Sequence, residues 1–553
     1  MMRLLSGWDV AVVPSSFTSL NRGVPTPSDP TDLPIDLPAG RYFAITWGIP
    51  ENYGGMTGAF LHRSRAFLRL AGVGVDILTF EPRPDYPDVE RSLRAAGELV
   101  PGMRLFNLWE WLRTTPLDQS APGKLSVKHA FAPLDASGDG SSRSTYRGST
   151  ELSRSRIAAD GETVLQTDYY RTDGTLFASD LRDTTTPGEL GGRSIIICDA
   201  AGDPLRSFGS IWALYRYWLD RLRSGENSVM FVDSKTTANF MLGYSRPGVL
   251  TVHVVHSSHL VGTERPMGTI RPTRAKVFEN LSKFDAVVVL TSRQQSDITT
   301  LLGEQPNLYV VPNGREVGTD VTSLNVDRPV NHGVVLASLT ARKRLGHAVT
   351  AIAVANRGAE PPATLDIYGE GEERALLERS IAELGLDGVV TLRGFATDAS
   401  DRFSDASFML LSSTSEGFPL VLVESMAAGC IPIAYDIAYG PADIITDGEN
   451  GYLVPAGDPD ALGAAIAEFI SLPADRIATM RRSAVTAAAE FSDRAVTQEW
   501  ARVLGHAHRQ AQLRAQNEEQ NRQPTPRPAP AGGPVARYLR KIPGLARGLR
   551  ARK

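Results

Sequence analysis

Apolar runs of strand length alternate with helix-length segments over most of the chain. The first run covers residues 42–47, a helix-like segment follows to Ala71, and residues 73–80 form the next run. Strands that alternate with helices are typical of a parallel sheet with helices on both faces. The alternation returns at residues 228–314 and again from His332 to about residue 487. It therefore predicts two doubly wound α/β domains.

The pattern changes between about residues 108 and 226. Short apolar segments at residues 164–170 and 194–198 are separated by turns rich in Gly, Asp and Ser, and helical periodicity returns only at residues 211–220. Short strands divided by tight turns are typical of antiparallel sheets. We therefore predict an antiparallel β insertion within the first α/β domain.

The two ends of the chain differ from the body in composition. Residues 15–39 are rich in Ser, Pro, Thr and Asp, which predicts an arm ordered by contact or a loose leader. Pro recurs through residues 524–530, which predicts a flexible linker. The last twenty residues, 534–553, hold seven Lys or Arg and no acid. That tail fits either a basic amphipathic helix on anionic lipid or a disordered solubilising segment.

The length of 553 residues also requires more than one hydrophobic core. The predicted boundaries are an N-terminal arm at 1–39, a first doubly wound domain at 40–107 and 227–318, the β insertion at 108–226, a second doubly wound domain at 319–490, a terminal helix at 491–510, a linker at 511–533 and the basic tail at 534–553.

Composition narrows the class of protein. Charged residues at 22% and hydrophobic residues at 42% are typical of a globular protein, and a net charge of −4 gives no reason to expect a nucleic-acid partner. Cys198 and Cys430 are the only cysteines and both lie in apolar runs, so we expect free thiols and no metal cluster. The sequence shows no signal peptide and no apolar run of about 18 residues. We therefore expect a cytoplasmic protein.

Two carboxylates eight residues apart mark the candidate chemistry. Glu416 lies in a loop after the apolar segment 407–414, and Glu424 lies in the helix that the pattern predicts at residues 420–428. The start of that helix offers backbone N–H groups and a positive dipole end to a phosphate. Pro419 suits the first turn, where its missing N–H costs little. An ordinary amphipathic helix with a solvated Glu at each end fits the spacing as well.

The surrounding sequence favours the active-site interpretation. The segment resembles the E-x7-E signature of retaining family-4 glycosyltransferases, and the run 434–454 resembles the poly(glycerol-phosphate) α-glucosyltransferase branch, which includes the glycosyltransferases of serine-rich-repeat adhesins. The resemblance extends over residues 40–510 and is most specific at 407–457. It implies an α/β protein of the GT-B fold, in which two Rossmann-like doubly wound domains face a cleft. The first, on the acceptor side, carries the antiparallel β insertion, and the second binds the nucleotide-sugar donor. Residues 491–510 would form the helix that crosses back to the first domain.

The resemblance also assigns the donor diphosphate to a cationic segment. Lys343 matches the family's phosphate-binding lysine, but Ser338 stands where the family has an arginine five residues before it. Arg342 or Arg344 would then supply the second charge. Backbone N–H groups would complete the phosphate site, and glycines would allow close approach elsewhere around the donor. These positions are Leu420 and Val421 at the helix start, Gly54 and Gly55 on the opposite wall, and Gly369 and Gly394 near the uracil.

Three further roles follow from the same resemblance. Glu416 would contact hydroxyls of the donor sugar, Glu424 would bind the ribose hydroxyls, and His256 would bind a donor-sugar hydroxyl. Glu416, His256 and Lys343 are the expected catalytic residues. His253 is expected to be a core or edge histidine, and His259 has no assigned role.

The implied activity is hexosyl transfer with retention of the α configuration. The donor would be UDP-glucose or UDP-N-acetylglucosamine, and the family needs no metal or other cofactor. The expected acceptor is poly(glycerol-phosphate) teichoic acid, with a Ser/Thr-rich adhesin second and another phosphate-containing glycopolymer third. A non-catalytic companion that binds a partner transferase is the alternative class. The β insertion implies contact with the acceptor or a homo-oligomer, and the basic tail implies contact with the inner face of the membrane.

Overall fold

The computed structural model describes residues 33–51, 53–115, 117, 131–135, 142–316, 328–396 and 398–522. The predictions for most of the arm, for the end of the linker and for the basic tail lie outside these residues. At the end of the arm, Ile35 and Leu37 are buried, and Ile35 donates its backbone N–H to the Leu70 carbonyl. This short part of the arm is therefore held by contact.

The first sheet is built from both sides of the β insertion. Before the insertion come β1 (Arg41–Ile45), α1 (Gly55–Ala71), β2 (Val75–Thr79), α2 (Tyr86–Ala95), β3 (Arg104–Asn107) and α3 (Leu108–Thr114). The insertion contains β4 (Ser142–Arg147), β5 (Thr150–Ile157), β6 (Val164–Tyr170), β7 (Leu176–Leu181), β8 (Ser194–Cys198) and β9 (Pro204–Phe208). After it come α4 (Ile211–Arg223), β10 (Ser228–Val232), α5 (Lys235–Met241), β11 (Val249–Val255), α6 (Pro272–Phe278), β12 (Ala286–Val289), α7 (Ser292–Leu302) and β13 (Leu308–Val310).

The strands of this sheet are all parallel, in the order β13-β12-β11-β10-β1-β2-β3. When the insertion is set aside, this is the strand order of a doubly wound Rossmann domain. The inserted strands form a separate antiparallel sheet in sequential order from β4 to β9. The predicted antiparallel insertion is therefore confirmed.

The second sheet has the same plan. Its elements are β14 (His332–Leu336), α8 (Leu345–Ala355), β15 (Thr364–Tyr368), α9 (Arg374–Glu383), β16 (Val390–Gly394), β17 (Phe408–Leu411), α10 (Leu420–Ala427), β18 (Ile431–Tyr435), α11 (Pro441–Ile444), β19 (Tyr452–Val454), α12 (Pro459–Ser471) and α13 (Ala474–Ala489). The parallel order β16-β15-β14-β17-β18-β19 again has its switch point beside the first strand. In such sheets ligands bind beyond the carboxyl ends of the strands near that point.

The last helix of the described residues, α14 (Asp493–Arg522), returns to the first domain. Its Trp500 packs edge-on against Phe67 of α1 and Phe231 of β10. The prediction of a flexible linker from residue 511 is wrong for residues 511–522, which continue the helix. Ala, Gln, Leu, Arg and Glu favour helix there, and no Gly or Pro interrupts the segment before Pro524. Arg514 also donates to the Asp285 carboxylate at 2.5 Å.

Candidate active site

The loop that carries Glu416 closes against the end of strand β11. A Cβ atom at Gly417 would lie 2.0 Å from the carbonyl oxygen of His256, so only glycine permits this approach. On the other side of the loop, Tyr439 donates its backbone N–H to the Glu416 carbonyl. The structure thus brings two of the predicted residues, Glu416 and His256, to facing walls of the cleft between the two sheets.

Glu416 is the centre of an ion-pair cluster. Lys343 Nζ lies 2.7 Å from one carboxylate oxygen, and Arg342 Nη1 lies 3.0 Å from the other. Burial works to raise the pKa of Glu416, but the positive charges of Lys343 and Arg342 outweigh it and hold the pKa below its ordinary value. The cluster therefore contains an ionised carboxylate and two cations that could be shared with a diphosphate.

Backbone contacts fix the position of these two cations. Residues Ala341–Lys343 form a 3₁₀ turn after β14. The Arg342 carbonyl accepts the N–H of Thr414, and the Lys343 carbonyl accepts the hydroxyl of Ser412. Both donors lie just beyond β17, so the carboxyl ends of the two neighbouring strands are joined at this point.

Arg342 and Arg344, the two predicted substitutes for the family's arginine, lie in different surroundings. Ser338 is exposed, and Arg342 supplies the second cation beside Lys343. The Arg344 guanidinium lies close to Gly457, where an added Cβ would be 3.2 Å from Nη1. Arg344 therefore stands outside the ion-pair cluster of Glu416.

Glu424 is paired with an arginine that the sequence did not point to. Arg315 Nε donates to the Glu424 carboxylate at 2.5 Å. Arg315 follows β13, and its backbone N–H and carbonyl bond to Phe491 and Asp493 at the start of α14. The predicted ribose-binding carboxylate is thus connected to the segment that crosses between the two domains.

His256 is held by a second pair of residues that sequence reasoning missed. His256 Nε2 lies 2.8 Å from Asp233 Oδ1, and the Arg63 guanidinium makes two hydrogen bonds to the same carboxylate, at 3.1 and 2.9 Å. Burial favours a raised pKa for Asp233, but the Arg63 charge and the His256 hydrogen bond lower it to about 2. The sequence could have pointed to Asp233, because an acidic residue there directly follows the apolar strand β10. It gives no such signal for Arg63, which lies 170 positions away in α1.

The start of helix α10 has the geometry that anion binding requires. Pro419 precedes the helix in extended conformation, and the first turn, Leu420 and Val421, has no preceding carbonyls within the helix to accept its N–H groups. Gly440 packs on Pro419, since an added Cβ would lie 2.2 Å from Pro419 Cδ. The first turn of the helix can therefore offer backbone donors on the Glu416 side of the cleft.

The predicted glycines fall into two groups. Gly369 donates its N–H to the Gly394 carbonyl, so these two positions lie together at the carboxyl ends of β15 and β16, and an added Cβ at Gly369 would overlap the Ala337 carbonyl. At Gly54 and Gly55, no neighbouring atom lies within 4 Å of an added Cβ. The open space beside the Gly-Gly loop can admit a ligand, while Gly369 is needed for a close backbone contact.

Two further acids, Asp458 and Asp460, lie at the start of helix α12. Asp458 accepts the N–H of Ala461 as the N-cap of α12. Within the described ranges, no group of three His, Cys, Asp or Glu residues is arranged to hold a metal ion. In the same part of the chain, no helix is long and apolar enough to cross a bilayer.

Three comparisons with known proteins extend this picture. The family described as "Glycosyl transferases group 1" matches residues 325–490. The chain is 24% identical over 475 residues to poly(glycerol-phosphate) alpha-glucosyltransferase of Bacillus subtilis (strain 168), a match that covers 78% of this chain and 70% of that protein. It is 22% identical over 453 residues to poly(ribitol-phosphate) alpha-N-acetylglucosaminyltransferase of Staphylococcus aureus (strain COL), with 75% and 89% covered.

In fold, the chain is similar to a crystal structure of a TarM mutant from S. aureus in complex with Fondaparinux, alpha-GlcNAc-glycerol and UDP. The TM-score is 0.67 at 18% identity, and the match covers 84% of this chain and 100% of that one. This likeness confirms the predicted arrangement of two Rossmann-like domains with an antiparallel sheet in the first.

Proposed function

We propose that this chain, a hexosyltransferase of the GT-B fold and of the poly(glycerol-phosphate) α-glucosyltransferase branch, transfers glucose or N-acetylglucosamine from a UDP-sugar to poly(glycerol-phosphate) teichoic acid. The linkage formed is α, with retention of the donor configuration. The observation that carries the proposal is the cluster of Glu416, Lys343 and Arg342 opposite His256. The two relatives support it by name, one as a poly(glycerol-phosphate) alpha-glucosyltransferase and the other as a poly(ribitol-phosphate) alpha-N-acetylglucosaminyltransferase.

The second-domain wall would bind the nucleotide. Lys343, Arg342 and the first N–H groups of α10 would take the diphosphate, because cations and a helix N-terminus both stabilise phosphate charge. Glu416 would then exchange part of its ion pairing for hydroxyls of the hexose. Glu424 would release Arg315 and accept hydrogen bonds from the ribose hydroxyls. Residues 369 and 394 would lie beside the base.

The first-domain wall would hold the hexose and admit the acceptor. His256 would bind a hydroxyl of the hexose, and the open Gly54–Gly55 loop would let the donor phosphates approach the backbone. Transfer would proceed on one face of the sugar, with the departing β-phosphate taking the proton of the acceptor hydroxyl. The contribution of the protein is then orientation and electrostatic stabilisation of the leaving diphosphate. No metal ion enters this scheme.

The basic tail would place the enzyme at the membrane surface. Residues 534–553 would hold the enzyme on anionic lipid at the cytoplasmic face of the membrane, where the β insertion would engage the polymer or a second copy of the chain. Full-length protein should bind vesicles that contain anionic lipid, and a chain that ends at residue 533 should not. Equal binding by both proteins would remove the tail from the proposal.

Labelled donor identifies the acceptor. Purified protein is incubated with UDP-glucose or UDP-N-acetylglucosamine labelled in the hexose, together with poly(glycerol-phosphate), poly(ribitol-phosphate) or a Ser/Thr-rich polypeptide. We expect label on poly(glycerol-phosphate), with an α-anomeric signal in the NMR spectrum of the product. Label on the polypeptide alone would replace the acceptor with an adhesin. Tight binding to a partner transferase, without transfer from either donor, would indicate the non-catalytic companion.

A further inference from the structure

Asp233 and Arg63 form a buried unit behind His256. The side chains of Asp233, His256 and Arg63 are 0%, 6% and 9% exposed. The Arg63 guanidinium also lies 4.2 Å from the ring centre of Phe231 and 5.4 Å from that of Trp500. Because breaking a buried ion pair leaves an uncompensated charge, this unit keeps its geometry while the cleft changes around it.

The charge of Asp233 decides which nitrogen of His256 carries the proton. An ionised carboxylate can only accept hydrogen bonds, and the pKa of Asp233 is lowered to about 2, so the group is ionised at neutral pH. The nitrogen beside it, His256 Nε2, must therefore donate. In the neutral ring the other nitrogen, Nδ1, then carries a lone pair and can only accept.

His256 Nδ1 has no hydrogen-bond partner within the described residues, although it is fully buried. A buried polar atom without a hydrogen-bond partner lowers the stability of the folded protein, so we expect a ligand to supply the missing partner. The atom belongs to a residue whose carbonyl meets the Glu416 loop at Gly417. Movement of that loop would let a hydroxyl reach it.

Arg63 balances the charge of Asp233. Its guanidinium makes two hydrogen bonds to the carboxylate, so the Asp233 charge is compensated without a cationic ring at His256. An imidazolium would have no lone pair to offer to a hydroxyl. Among the described residues, other charged or titratable groups near this unit are His253 on β11, Arg274 on α6 and Glu416 across the cleft. Beside Arg63, His62 and Asp493 line the same cavity.

We propose that Asp233 and Arg63 are positioning residues that hold His256 as the neutral Nε2–H tautomer, so that Nδ1 accepts a hydrogen bond from a hydroxyl of the donor hexose. The inference rests on the proposed function for the identity of the ligand, but the tautomer is a property of the free protein. Asp233 and Arg63 act through His256 and do not touch the substrate.

Nitrogen-15 NMR of the histidine rings tests the tautomer without substrate. The chain has nine histidines, and His256→Gln identifies the signal to follow. We expect the neutral Nε2–H form at pH 7. In Asp233→Asn, Arg63 donates to the amide oxygen and the amide NH₂ faces Nε2, so the proton should move to Nδ1. Wild-type protein in the Nδ1–H or imidazolium form, or an unchanged signal in Asp233→Asn, would overturn the proposal.

Calorimetric binding tests the ligand. Asp233→Asn should bind UDP within about twofold of wild type but lose roughly tenfold in affinity for the UDP-hexose, the value of one lost hydrogen bond to a neutral group. It should have no further effect in a His256→Ala background, where a merely structural role would lower UDP-hexose affinity again.

Asp76→Asn, which removes a buried aspartate paired with Arg41 and Arg104 at the other end of the sheet, is the matched control. A wild-type protein that binds no UDP-hexose would contradict the proposed function and leave the NMR result standing.

Discussion

On the second-domain wall of the cleft, Glu416 and Glu424 are each paired with an arginine that remains partly open to solvent, whereas on the first-domain wall Asp233 and its partners are enclosed. Arg342 is 50% exposed and Arg315 33%, against 16% for Lys343, the second partner of Glu416, and 9% for Arg63. Exposed ion pairs contribute about 0–1 kcal/mol and exchange partners readily. Removing one partner of a buried pair costs roughly 3–5 kcal/mol. The two arginines of the second wall can therefore exchange partners when a nucleotide binds, while the first wall keeps a fixed geometry.

The largest change in UDP affinity is expected at Lys343, and its absence would break this comparison. Lys343→Ala should weaken UDP binding by roughly tenfold to a hundredfold, because a hydrogen bond to a charged group contributes about 1.5–3 kcal/mol. Calorimetric titration with UDP measures the loss. Lys283→Ala, an exposed lysine after α6, serves as the control and should bind UDP as wild type does. Unchanged affinity for UDP in Lys343→Ala would show that the nucleotide does not bind to the second-domain wall.

The Gly-Gly loop gives a smaller effect that sharpens the role of the first wall. Gly54→Ala meets no atom within 4 Å, so the melting temperature should stay within about 1 °C of wild type. If donor phosphates approach the backbone there, the added methyl should raise KM for the UDP-sugar about five- to tenfold. Steady-state kinetics beside thermal unfolding separates the two quantities. A raised KM together with a lowered melting temperature would instead indicate a structural role for Gly54.

The smallest effect concerns Arg315. If Arg315 only covers Glu424 until the ribose arrives, Arg315→Ala should bind UDP more tightly, by at most about fivefold, since the partly exposed pair contributes no more than about 1 kcal/mol. Competition with a fluorescent UDP analogue resolves a change of this size. Weaker binding in the variant would show that Arg315 itself contacts the nucleotide.

The two walls also differ in how far the sequence predicted them. Glu416, Glu424 and Lys343 each lie in a local pattern of strand, loop and helix, so the resemblance of these segments to a known family pointed to them. Asp233 and Arg63 are 170 positions apart, and Arg315 and Glu424 are 109 apart. No local periodicity encodes such pairs, because the topology of the sheets alone brings them together.

The fold was predictable for a related reason. The spacing of apolar residues differs between strands and helices and so marks each α/β unit along the chain. The loss of helical spacing between residues 108 and 226 marks the β insertion in the same way. The error at residues 511–522 arose because the polar Gln, Asn and Glu residues there resemble a linker in composition. Their helix propensity, the absence of Gly and Pro, and the contact of Arg514 with Asp285 decide the conformation.

The release of UDP from a UDP-hexose by wild-type protein and by Glu416→Gln, in the presence of poly(glycerol-phosphate), tests the central claim most directly. The amide of this variant would keep the shape of the side chain but could not balance Lys343 and Arg342 or accept as strongly from the hexose. We expect UDP release by wild type with one of the two donors and a loss of about 10²–10³-fold in the variant, while Glu378→Gln on the exposed face of α9 stays unchanged. Equal UDP release by wild type and Glu416→Gln would contradict the account.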